Sequence, residues 1–91
     1  MTIWKFKLEF EKMQEIQMPK GAQILTVQID QKNNAPTIWA FVSPKEPLES
    51  RFIELLTTGG DVPLDMGISR RYIGTYQYQK GEFIGHVFER L

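Results

Sequence analysis

Three observations predict an all-β fold, a small antiparallel β-sandwich or a partly open barrel of about seven strands with at most one short helical turn. Polar and apolar residues alternate with a period of two along most of the chain. Stretches rich in Gly, Pro or Asn separate these runs. No segment carries a sustained helical repeat, and 91 residues suffice for one domain, expected to span 1–91.

The first run sets Trp4, Phe6, Leu8 and Phe10 against Lys5, Lys7 and Glu9, as in a strand with one buried face. Gln14, Ile16 and Met18 continue the period in a second strand ending at Pro19. Pro19-Lys20-Gly21-Ala22 reads as a turn between antiparallel strands, with Pro presetting φ and Gly21 free to take positive φ. Leu25, Val27 and Ile29 are then expected to face inward. The polar stretch 30–35 reads as a hairpin loop.

Residues 36–42 form the only run in which both alternating sets are strongly apolar: Ile38, Ala40 and Val42 against Thr37, Trp39 and Phe41. Such a strand is expected at the centre of the core, covered on both faces. Pro44 and Pro47 make 43–50 irregular. Residues 51–57 fit a helical turn through Phe52, Leu55 and Leu56 or a strand through Ile53, Leu55 and Thr57; β-branching and the glycines that follow favour the strand. Residues 59–71 read as a long loop, with one helical turn allowed over 63–69.

Residues 71–78 and 83–88 read as a last hairpin turning at Gln79-Lys80-Gly81-Glu82, with Gly81 supplying positive φ. Gly74 and Gly85 within its arms call for a bulge or an overlying ring, for which Trp4 and Trp39 are candidates. Tyr72, Tyr76 and Tyr78 share parity with Gly74, and His86 shares parity with Ile84 and Phe88.

Eleven basic and eleven acidic side chains leave no global field to attract nucleic acid or an anionic membrane. The absence of cysteine excludes disulfides, zinc-thiolate sites and thiol nucleophiles. No apolar run approaches the roughly 18 residues of a membrane span. Residues 1–10 mix Lys and Glu among their apolar positions and lack the core of a signal peptide, so a cytoplasmic protein is expected.

No catalytic, cofactor or metal motif stands out. His86, the single histidine, is read first as a hydrogen-bonded strand residue and secondarily as the base of a small enzyme. Asp61 and Asp65 lack the ligand spacing of a calcium loop. The candidate binding residues are Thr58, Gly59, Gly60, Asp61, Arg70, Arg71 and Tyr72. Consecutive glycines let backbone N–H groups converge on an anion, and the arginines and tyrosine at the other end of the loop suit a phosphate and a base. They also fit a glycine turn and solvated surface charge.

The blocks Met18-Pro19-Lys20-Gly21-Ala22-Gln23-Ile24-Leu25-Thr26-Val27-Gln28, Ile38-Trp39-Ala40-Phe41-Val42, Thr58-Gly59-Gly60, Tyr72-Ile73-Gly74-Thr75 and His86-Val87-Phe88-Glu89 resemble a family of short uncharacterised bacteriophage and prophage proteins. The resemblance implies action in the cytoplasm of an infected bacterium and supplies no activity. Two readings follow: a non-enzymatic protein that binds a host or phage protein and pairs with itself, or a counter-defence protein that sequesters a nucleotide second messenger. Neither requires a cofactor.

Overall fold

The computed structural model describes residues 1–62 and 67–91. It is all-β: β1 (Thr2–Lys7), β2 (Met13–Pro19), β3 (Gln23–Asp30), β4 (Ala35–Val42), β5 (Leu48–Thr57), β6 (Arg70–Tyr78) and β7 (Phe83–Arg90). They make two antiparallel sheets, ordered β1-β4-β3 and β2-β5-β7-β6, in a sandwich-like fold without a closed barrel. Among the described residues there is no helix. The single helical turn allowed over 63–69 falls largely outside them.

The core lies between the sheets. Val27, Ile38, Ala40 and Val42 from one meet Met18, Ile53, Tyr76 and Val87 from the other, with Leu8 and Ala22 closing the ends. A fully buried Ile or Val contributes about 1.5–3 kcal/mol, so this cluster dominates the stabilisation. β4 is central in its sheet, between β1 and β3. Its second face is less covered than its composition suggests: Thr37 is buried, Trp39 half-buried and Phe41 exposed. Among the described residues only three strands form this sheet, and no further layer covers its outer side.

Several expectations are corrected by one physical effect, the shift of parity at a bulge. β3 slips register between Ile24 and Thr26, so Ile24 joins the core while Leu25, expected inside, is exposed. A second slip, between Tyr72 and Gly74, separates the tyrosines. Tyr76 and Tyr78 remain on the core face, whereas Tyr72 pairs with Phe88 on the outer one, their ring centroids 5.4 Å apart.

The glycines of the last hairpin accommodate different neighbours from those expected. A Cβ on Gly85 would collide with the ring of Tyr76, its own cross-strand partner, rather than with a tryptophan. A Cβ on Gly74 would come within 3.0 Å of Val27 Cγ1, because β3 runs alongside β6 where the two sheets approach. The hairpin turn is tighter than one glycine explains: Gln79, Lys80 and Gly81 all have positive φ, at 53°, 56° and 87°.

The Pro19–Ala22 turn also differs from expectation. Gly21 has φ of 81° as its position requires, but the strands on either side belong to different sheets. Instead of closing a hairpin, the turn carries the chain from one layer to the other. It is held there by Lys20 N–H donating to Pro47 O at 2.7 Å and Gly21 N–H donating to Glu49 Oε2 at 2.9 Å. Glu49 belongs to β5, which begins at Leu48 directly after Pro47, earlier than the prolines suggested. Residues 51–57 are strand, not helix.

Candidate functional site

An open cleft of about 900 Å³ lies at one end of the four-stranded sheet. Four separate segments build it: the β1–β2 connection, the end of β5 with the glycine loop, and the two arms of the last hairpin near their turn. Phe10 ends the alternation of the first run and no longer has a core to enter, so its ring stands 57% exposed. Phe83, at the first position of β7, is equally exposed. Between them Tyr78 makes a continuous aromatic wall, with ring centroids 5.3 Å from Phe10 and 6.4 Å from Phe83. Its hydroxyl is fixed by Asn34 Nδ2 at 3.0 Å.

Tyr76 and Gly85 also line the cleft, and burial pushes the Tyr76 phenol above its ordinary value of 10.0. The charged lining is unbalanced. Among the described residues, Glu11, Asp61 and Glu82 bring three carboxylates against the single ammonium of Lys12. All four side chains are exposed, and among the described residues no ion pair engages them.

The candidate residues read from the sequence divide between three places. Thr58, Gly60 and Asp61 line the cleft, and Gly59, which turns the chain between Thr58 and Gly60 with φ of 80°, does not. Gly60 N–H is committed to Thr57 O at 3.1 Å. Arg70 is drawn onto Glu54, a carboxylate only 2% exposed. Arg71 and Tyr72 line a different groove, of about 230 Å³, with Ala22, Gln23 and Leu25. Asp65 lies outside the described residues.

Tyr72 nevertheless connects to Thr58 through a chain of hydrogen bonds. Tyr72 Oη and Thr75 Oγ1 are 2.6 Å apart, Thr75 Oγ1 and His86 Nδ1 3.0 Å, and His86 Nε2 and Thr58 Oγ1 2.6 Å. Each hydroxyl can donate or accept, so the chain accommodates either imidazole tautomer. Both ring nitrogens are thereby occupied. His86 clips the glycine loop to the sheet, and it is absent from the cleft lining.

Phe10 and Phe83 are the residues that sequence reading missed, whereas Tyr78 reads there as part of a tyrosine stripe, an interface if exposed and core if inside. Two signals pointed to the phenylalanines: Phe10 is flanked by Glu9 and the charged pair Glu11-Lys12, and Phe83 opens a strand beside a tight turn. Among the described residues no cluster of three or more His, Asp or Glu could hold a metal ion, and no helix is long and apolar enough to cross a membrane.

Fold and site together define a small all-β protein with an aromatic cleft rimmed mainly by carboxylates. The chain belongs to the family described as Domain of unknown function (DUF7352), which matches residues 1–91. Neither a curated protein nor a solved structure is significantly similar to it.

Proposed function

We propose that the chain is a small non-enzymatic binding protein of phage or prophage type that acts on a protein partner in the bacterial cytoplasm. The observation that carries this reading is the cleft, where two phenylalanines stay 57% exposed on rings packed against Tyr78. Exposed apolar rings in a concave site are the usual anchors of recognition, because a partner gains from removing them from water. The occupied nitrogens of His86 support a structural role for that residue. The resemblance of its sequence blocks to short phage proteins supports the cellular setting.

A photo-crosslinking amino acid at position 83, expressed in bacteria, tests the reading, with position 45 in the β4–β5 connection as control. One discrete protein adduct is expected from position 83 and none from position 45. No adduct from 83, or the same adduct from both, contradicts it.

Self-association is favoured by a second feature, the cross-strand pair Ile3 and Phe41 on the outer face of the three-stranded sheet, 51% and 38% exposed. Light scattering coupled to size exclusion checks it, and a strict monomer at high concentration removes it. Nucleotide sequestration draws support from the rings on which a base can stack beside Thr58 and Gly60. It ranks lower, since three carboxylates share that cleft while Arg70 and Arg71 lie elsewhere. A thermal-shift screen with cyclic and linear nucleotides decides it: a ligand at about 100 times its Kd adds about 2.7 kcal/mol, and no shift sinks the idea.

A further inference from the structure

We infer that the cleft recognises a cationic side chain, an arginine or lysine on an exposed segment of the partner protein. The inference rests on the binding reading above and names its ligand class. Two independent features of the cleft converge on it, the ring wall and the charge of the rim.

Phe10, Tyr78 and Phe83 stand in a row with centroid spacings of 5.3 and 6.4 Å. A guanidinium or ammonium within about 6 Å of such faces is attracted by the ring quadrupole, whereas an anion is repelled. Tyr78 presents its ring to the cleft while its hydroxyl is held by Asn34, so the wall is positioned before any ligand arrives.

Glu11, Asp61 and Glu82 come from three different segments and surround the same space. Their carboxylates have no ion-pair partner among the described residues, in contrast to Glu54 and Glu89, each of which holds an arginine. Among the described residues Lys12 alone opposes them. A phosphate entering here would meet three like charges, and a cation would meet three opposite ones.

Volume and lining suggest a side chain on a segment rather than a lone ion. About 900 Å³ is far more than one ammonium fills. Leu55 and Ile84 add apolar surface along which the methylene stem of an arginine or lysine can lie while its charged head reaches the carboxylates.

The test uses the full chain labelled with ¹⁵N and short capped hexapeptides that differ at one position, carrying arginine, lysine, norleucine or glutamate among neutral residues. ADP serves as the anionic small-molecule probe. Saturable shifts of amides at 10–12, 57–61 and 78–83 are expected for the arginine and lysine peptides, weakening as salt is raised. The norleucine peptide is expected to bind more weakly, and the glutamate peptide and ADP not at all.

The double variant Asp61→Asn with Glu82→Gln is expected to lower affinity for the arginine peptide by roughly fivefold per carboxylate at low salt. Lys12→Glu, which removes the opposing charge, is expected to raise it. Absence of cleft shifts with both cationic peptides overturns the inference, as does tighter binding of the glutamate peptide or ADP. In those cases an adduct at position 83 leaves the binding reading standing, and its absence removes both.

Discussion

Around Arg51 a guanidinium, two carboxylates and a backbone carbonyl are packed against one another, whereas around Tyr78 three carboxylates and an ammonium stand in solvent beside bare rings. Arg51 forks onto Glu89, itself 3% exposed, and donates from Nη1 to Ala22 O at 2.9 Å. The Glu89 hydrogen bond is the main cause raising the Arg51 pKa above its ordinary value. This cluster ties β5 and β7 to the turn that passes the chain between sheets. Charge there is consumed by the fold. At the cleft, Glu11, Asp61, Glu82 and Lys12 have no ion-pair partner among the described residues and stand on a surface that the fold leaves open, which is where the proposed partner would supply the missing charge.

The comparison breaks most visibly if the Arg51 cluster is cut. Arg51→Ala strands a buried carboxylate, and chemical denaturation is expected to show a loss of about 3–5 kcal/mol. Replacing both partners, Arg51→Met with Glu89→Leu, is expected to recover most of that loss, because the cost lies in the orphaned charge. A single replacement that leaves stability unchanged would mean the pair is solvated.

Gly85→Ala comes next. Its Cβ collides with the Tyr76 ring, so a loss of about 1–3 kcal/mol is expected in the same assay, with chemical shifts at the cleft wall as the ring is displaced. His86→Ala is smaller, at about 1 kcal/mol, the scale of a hydrogen bond. Its signature is faster amide exchange at 58–60, since the clip from Thr58 to the sheet is lost.

Acid sharpens the same contrast. The Lys5 hydrogen bond, at 2.8 Å, holds the Asp30 carboxyl below its ordinary value of 3.8, with Lys32 N–H assisting and burial opposing. Because the folded pKa is the lower one, this pair stabilises the protein above pH 3.8, and the contribution is lost as pH falls through the folded value. Lys5→Met is expected to remove that portion of the acid dependence in urea melts at successive pH values. Smallest of all, Glu82→Gln at the cleft rim is expected to leave stability within about 0.5 kcal/mol, as befits a charge the fold does not use.

Much of the architecture was legible because period-two alternation reports directly which face of a strand is buried. Ile38, Ala40 and Val42 were readable as core, and all three are fully buried. Leu25 and Tyr72 were misplaced because a bulge adds one residue and inverts parity beyond it, and nothing in the local composition marks the slip. The partners of Gly74 and Gly85 were misjudged because a close approach depends on which strands become neighbours. The cleft was hardest to read. Its ring wall joins Phe10 to Tyr78 and Phe83 across most of the chain, and although the charged pair after Phe10 and the turn before Phe83 hint at the exposure of each, their meeting depends on which segments become neighbours. Thr58, Gly60 and Asp61, which line the cleft, drew attention because glycine pairs announce themselves, while Arg70 reads as a candidate anion-binding residue or solvated charge without sight of its partner Glu54.

The most direct measurement is an amide shift map of the full chain titrated with the arginine hexapeptide. Saturable changes are expected at 10–12 and 78–83, with 22–25 and 71–73 around the smaller groove unmoved. Changes confined to the smaller groove, or none in the cleft at saturating peptide, would contradict it.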